Sequence, residues 1–145
     1  MTGDQIGDWT VLHPESSDLF PQADDKAVVL RGTFFGKSIL LLSDLGRLGQ
    51  NALLERNKNL TSDFVVAGLP AQTEPLCNSL IEAIQPRLIV ITDTEFPATE
   101  RASRKLRDRL AGQKSSVIYC RESGAITFIF DEHGYAIRTA RSVPR

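Results

Sequence analysis

The chain has 145 residues, 41% hydrophobic and 24% charged, which predicts one domain able to bury roughly 68–70% of its unfolded surface. A net charge of −1 gives no global pull towards nucleic acid or anionic membrane, so either contact needs a local patch. No stretch approaches the ~20 apolar residues of a membrane span, and Met1 to Asp8 lacks the basic and apolar regions of a signal peptide, which predicts a soluble chain, whole or cut from something larger.

Residues 1–8 and 139–145 read as frayed ends. Trp9 to Leu12 can form a short strand, stopped by His13-Pro14. Glu15 to Lys26 lacks periodicity and reads as a surface loop. Val28 to Leu45 follows, two apolar strands (28–34 and 39–42) joined by a Gly36-Lys37 turn and running into Ser43-Asp44-Leu45. Gly46 to Asn57 has Leu48, Ala52 and Leu53 at helical spacing. Phe64 to Ala67 is a short buried strand, ended by Gly68 and Pro70. Thr73 is placed to cap a helix over 74–84, with Leu76, Cys77, Leu80, Ile81 and Ile84 on its apolar face and Pro86 beyond it.

Leu88 to Ile91 is a second fully apolar strand, leading to Thr92-Asp93-Thr94-Glu95. A helix is predicted over 99–111, with Ala102, Leu106 and Leu110 on one stripe and Gly112 as C-cap. Val117 to Cys120, Ala125 to Phe130 and Tyr135 to Arg138 read as strands, with Ser123-Gly124 and His133-Gly134 as hairpin turns. Cys77 and Cys120 stand in no motif and read as small buried apolar side chains.

The middle is therefore β-α-β-α-β-α-β with short connections, and right-handed crossovers progressing one way put all three helices on one face. Strands apolar at every position need cover on both faces. Two arrangements provide it: a reversed strand order with helices on both sides, or packing of the second face on a partner sheet. With the terminal strands extending the sheet, the second face is left bare, and self-association through it is expected.

WTVLHP (Trp9 to Pro14), the acidic loop after it, and VVLRGTFFGKSILLLSDL resemble the last third of the ComEC-type competence DNA-uptake channel. The spacing of SDFVVAGLPAQTEPLCNSLIEAIQPRLIVIT, and GAITFIF as a closing strand, continue the likeness from Trp9 to about Phe130. The resemblance implies an α/β fold: half of a metallo-β-lactamase-like αββα sandwich, a mixed sheet with three helices on one face. It further implies a place on the extracytoplasmic face of the inner membrane, as part of a protein that takes up single-stranded DNA. Partners would be the remainder of that channel, or a second copy through the bare face.

Active relatives hold a Zn²⁺ or Mn²⁺ pair that makes a nucleophilic hydroxide, which needs several converging His and carboxylate ligands. By the resemblance Asp44 stands at the bridging carboxylate. The family's His-His-Gly-Ser falls on Leu69-Pro70-Ala71-Gln72, and its later His-Pro near Phe96-Pro97. The implied domain is non-catalytic, without cofactor, serving structure or DNA handling.

The residues themselves leave alternatives. Asp44 reads either as a vestigial metal ligand or as a loop or capping carboxylate for the helix after it. Asp44, Asp93 and Glu95 all follow strands, so they either gather at one rim to hold Mg²⁺ with a substrate phosphate, as in a phosphoryl-transfer enzyme or phosphodiester hydrolase on a small doubly wound sheet, or stand there as solvated acids. Arg101, Lys105 and Arg109 are spaced as one helical ridge, either touching DNA phosphates or simply solvated. His13 and His133 have no partner nearby in sequence. A strand-order reversal beside Asp44 would favour the enzyme; a sheet with one bare face would favour the half domain.

Overall fold

The computed structural model describes residues 1–141. Among them nine strands form: β1 (Gln5–Ile6), β2 (Trp9–His13), β3 (Val29–Phe34), β4 (Lys37–Leu41), β5 (Phe64–Ala67), β6 (Leu88–Ile91), β7 (Ser116–Tyr119), β8 (Ile126–Asp131) and β9 (Gly134–Thr139). The helices are α1 (Arg47–Arg56), α2 (Asn78–Ile84), α3 (Arg104–Ala111) and the single turn α4 (Cys120–Ser123). Strands β1 to β7 make one sheet in sequence order, antiparallel from β1 to β4 and parallel from β4 to β7. The order never reverses, so the doubly wound alternative, with its switch point beside Asp44, is not what forms.

The parallel strands divide their side chains cleanly between two cores. Leu40, Leu42, Val65, Ala67, Ile89 and Ile91 pack with Leu53 of α1, Leu80, Ile81 and Ile84 of α2, and Leu106 and Leu110 of α3. All three helices thus share one face, as short right-handed crossovers require. Ile39, Phe64, Leu88 and Val90 point the other way, where Ile126, Phe128, Phe130 and Ile137 of β8 and β9 meet them. The fold is an α/β sandwich: helices, a mixed seven-stranded sheet, and a two-stranded second sheet.

That second sheet corrects two expectations. The C-terminal hairpin does not extend the main sheet; it crosses over and covers the face expected to be bare. The predicted Ser123-Gly124 hairpin turn is instead α4 followed by Gly124, whose φ of 68° and ψ of −151° belong to a region open essentially to glycine alone. This kink separates β8 from β7 and lets it pair only with β9. Phe64 is the anchor, 1% exposed, with ring centroids 5.3 Å from Phe128, 5.9 Å from Phe130 and 4.9 Å from Tyr135.

Other boundaries also move. Residues 1–8 are not all frayed, since Gln5 and Ile6 pair with Thr10 and Trp9. At the other end Thr139 closes β9, and the Ala140 and Arg141 amides donate to Ala125 and Ser123 carbonyls; residues 142–145 of the predicted tail lie outside the described residues. The β3–β4 turn is Phe35-Gly36, both left-handed as a tight two-residue hairpin needs. Helix α2 starts at Asn78 rather than Glu74, because Pro75 biases Glu74 away from helix and the Gln50 side chain takes the Cys77 amide. The helix predicted over 99–111 breaks: a short turn at Ala98–Glu100 precedes α3, which Ser103 caps by accepting from the Leu106 amide.

The loop before β3 is pinned to α1. His13 is fully buried, its Nε2 donating to the Asp25 carbonyl at 2.7 Å. Asp18 accepts from the Arg56 guanidinium, and that bond above all, with the Glu15 amide adding to it, holds the Asp18 carboxyl down from 3.8 to about 2. A carboxyl depressed by folding stabilises above its unfolded pKa and loses that contribution as pH falls through the folded one. Acid titration of unfolding should therefore show stability falling between about pH 4 and pH 2. Asp18→Asn should be weaker at neutral pH and flatter across that window; an unchanged acid limb would refute the role given to Asp18.

Candidate functional site

Parallel strands β4 to β7 deliver their C-terminal ends to one rim, where α/β sheets place their sites. Ser43, at a φ of 50°, and Asp44 follow β4; the Ser43 carbonyl accepts from the Gly68 amide at 2.6 Å, tying the first connection to the second. Asp44 is exposed, and the Ser43 hydroxyl donates to it at 3.1 Å. Together with Gly68, Leu69, Thr92 and Glu100 these two line a cavity of about 280 Å³.

Asp44 does not cap α1. Asp25 does, with one carboxylate oxygen accepting from the Leu48 amide at 2.9 Å and the Gly49 amide at 3.3 Å. The approach is close enough to demand glycine: a Cβ on Gly46 would lie 2.4 Å from that oxygen, and one on Gly49 would lie 2.6 Å from the Asp25 carbonyl oxygen. GRLG is thus a seat for the Asp25 segment.

The acidic trio does not gather. Asp93 is 3% exposed and turned inward, accepting from the Arg121 amide at 2.9 Å and the Ala102 amide at 3.4 Å, with the Arg121 guanidinium 3.7 Å away. It ties three segments together: the end of β6, the approach to α3 and the β7–α4 junction. Glu95 is held by Arg101 at 2.8 Å and Arg121 at 3.2 Å. Among the described residues no three His, Cys, Asp or Glu side chains are placed to share a metal ion.

A Zn²⁺ or Mn²⁺ pair does not fit the donors present. Around Asp44 stand one further carboxylate, Glu100, the hydroxyls of Ser43 and Thr92, and the apolar Leu69. His13 is buried beneath the 15–26 loop and His133 is exposed in the β8–β9 turn. Cys120 follows β7, but burial first and the Asp93 charge second push its thiol up, which makes it a weak nucleophile.

The cationic ridge is split by the same structural logic. Arg109 is drawn down, donating to the Leu76 carbonyl at 2.7 Å, the Pro75 carbonyl at 2.9 Å and Glu74 at 3.2 Å; it clamps the irregular segment before α2 rather than facing solvent. Arg101 lies before α3 and pairs with Glu95, and Lys105 is exposed. Arg101 and Lys105 line the larger rim cavity, about 530 Å³, together with Arg47, Ser103, Thr99 and the 69–75 segment. Arg47 escaped the sequence reading, although a cation opening a helix directly after a strand-and-aspartate turn belongs at this rim.

Among the described residues no helix is long and apolar enough to cross a membrane. Neither a scan against protein-family models nor a search of curated proteins finds a match for the chain.

Proposed function

We propose that the chain is a non-catalytic, metallo-β-lactamase-like half domain of a ComEC-type DNA-uptake protein, serving structure or DNA handling on the extracytoplasmic face of the inner membrane. The observation that carries the non-catalytic part is the donor set at the rim. Where hydrolases of that fold bring imidazoles beside the bridging carboxylate, this chain has Leu69-Pro70-Ala71-Gln72. Two carboxylates and two hydroxyls fall short of the ligands a catalytic metal pair needs. The layer order agrees with half of an αββα sandwich, with β8 and β9 as the start of the second sheet.

The outer edges of β8 and β9 pair with no strand among the described residues, so further strands of the parent protein, or of a second copy, are the partner this reading calls for. Sedimentation at micromolar concentration reads the second copy directly.

Protein purified without chelator should carry far less than one Zn²⁺ or Mn²⁺ per chain. Incubated with Mn²⁺ and single- or double-stranded DNA, it should not cut. A stoichiometric ion lost in Asp44→Ala, or cleavage abolished by that substitution, would overturn the reading.

A further inference from the structure

We propose that the 530 Å³ rim cavity is an oxyanion site for phosphate groups, carried by the backbone of single-stranded nucleic acid or by a small phosphorylated compound. This names the ligand for the DNA-handling reading and rests on it only for the source of the phosphate.

Three independent features meet there. The first is charge. Arg47, Arg101 and Lys105 line the cavity from two different connections. Arg47 has no carboxylate within ion-pairing distance among the described residues, and Lys105 reaches only to 3.9 Å from Glu74. Glu74, the acid in the lining, is already held by Arg109 at 3.2 Å, so it does little to cancel the cations. Arg101 alone is committed, to Glu95.

The second is the start of α3. Ser103 and the Leu106 amide satisfy one another, but the Arg104 and Lys105 amides have no acceptor among the described residues. Ser103, Lys105 and Leu106 of that first turn line the cavity, so the positive end of the helix dipole adds to the cations there. The third is position. The cavity lies past the C-terminal ends of the parallel strands, next to Leu69 and the Asp44 cavity, yet its lining is cationic and hydroxylic where Asp44's is acidic. The 69–75 wall is fastened where Arg109 donates to the Pro75 carbonyl at 2.9 Å and Gln50 to the Glu74 carbonyl at 3.1 Å.

Arg47→Glu and Lys105→Glu test it, since both side chains are exposed and a glutamate in the first helical turn is tolerated. Binding of a fluorescent single-stranded oligonucleotide and of inorganic pyrophosphate would be titrated against salt, with circular dichroism confirming the fold of each variant. The expected result is binding of both probes, weakened roughly tenfold by each substitution, with a log-log salt slope for the oligonucleotide shallower by about 0.7 per lost cation. Pyrophosphate binding that the variants weaken, without oligonucleotide binding, supports the oxyanion site and removes the DNA-handling reading. Oligonucleotide binding that both variants leave unchanged overturns the site while that reading stands. Binding of neither probe by the unaltered chain overturns both.

Discussion

Phe64→Ala should destabilise the chain by about 3–5 kcal/mol, as full truncation of a buried aromatic does. Phe64 is 1% exposed at the centre of the second core, and three hairpin rings converge on it. Its neighbours on that face, Ile39, Leu88 and Val90, are short aliphatics from β4 and β6 that cannot fill the space of a lost ring. Phe130 also stacks on Phe34, 5.8 Å away, and Phe34 meets Trp9 edge-on at 5.2 Å, so the cavity would open in the middle of an aromatic row. Hydrogen exchange distinguishes the two cores: amides of β8 and β9 should lose protection before those of β5 and β6. Denaturant unfolding of Phe64→Ala and of Phe64→Leu gives the size, with leucine recovering part of the loss. A cost below about 1 kcal/mol for alanine, far under a core truncation, would mean the hairpin does not rest on this face.

The placement of that hairpin shows where the sequence was readable and where it was not. Phe64–Ala67 and Leu88–Ile91 came out residue for residue, because four consecutive apolar side chains, too few for a helix and flanked by turn residues, fit a strand covered on both sides. The one-sided helices followed from connection length. The identity of the second layer did not, because a two-stranded sheet and an extension of the main sheet have the same alternation; only Gly124 decides between them, through a backbone conformation no spacing rule encodes. The site residues failed for a related reason. Asp25 reaches 23 residues forward to the Leu48 amide, Gln50 reaches 27 to Cys77, and Arg109 reaches back 33 to Leu76. Each is polar in sequence and structural in space. Read in a local window, Arg109 looked like a free cation and Asp44 like the cap that Asp25 supplies.

Asp93 is the sharpest such case, and its replacement should lower stability by roughly 2–4 kcal/mol, the cost of charge-assisted bonds lost in a dry place. In Asp93→Ala the Arg121 and Ala102 amides lose their acceptor, and the Arg121 guanidinium loses its buried counter-charge 3.7 Å away while keeping the exposed Glu95 at 3.2 Å. Asp93→Asn is the more telling variant. Both donors point at the carboxylate from opposite oxygens, so an amide group can accept from one and must set its own N–H against the other. Asparagine should therefore rescue only part of the loss, although it is nearly the same shape. Asp44→Asn, exposed and bonded only to its neighbour's hydroxyl, should change stability by less than about 0.5 kcal/mol. Thermal and urea unfolding of the three variants side by side would separate an acid that holds three segments together from one that merely stands at the same rim. Equal, small effects at both positions would show that Asp93 is a solvated acid after all.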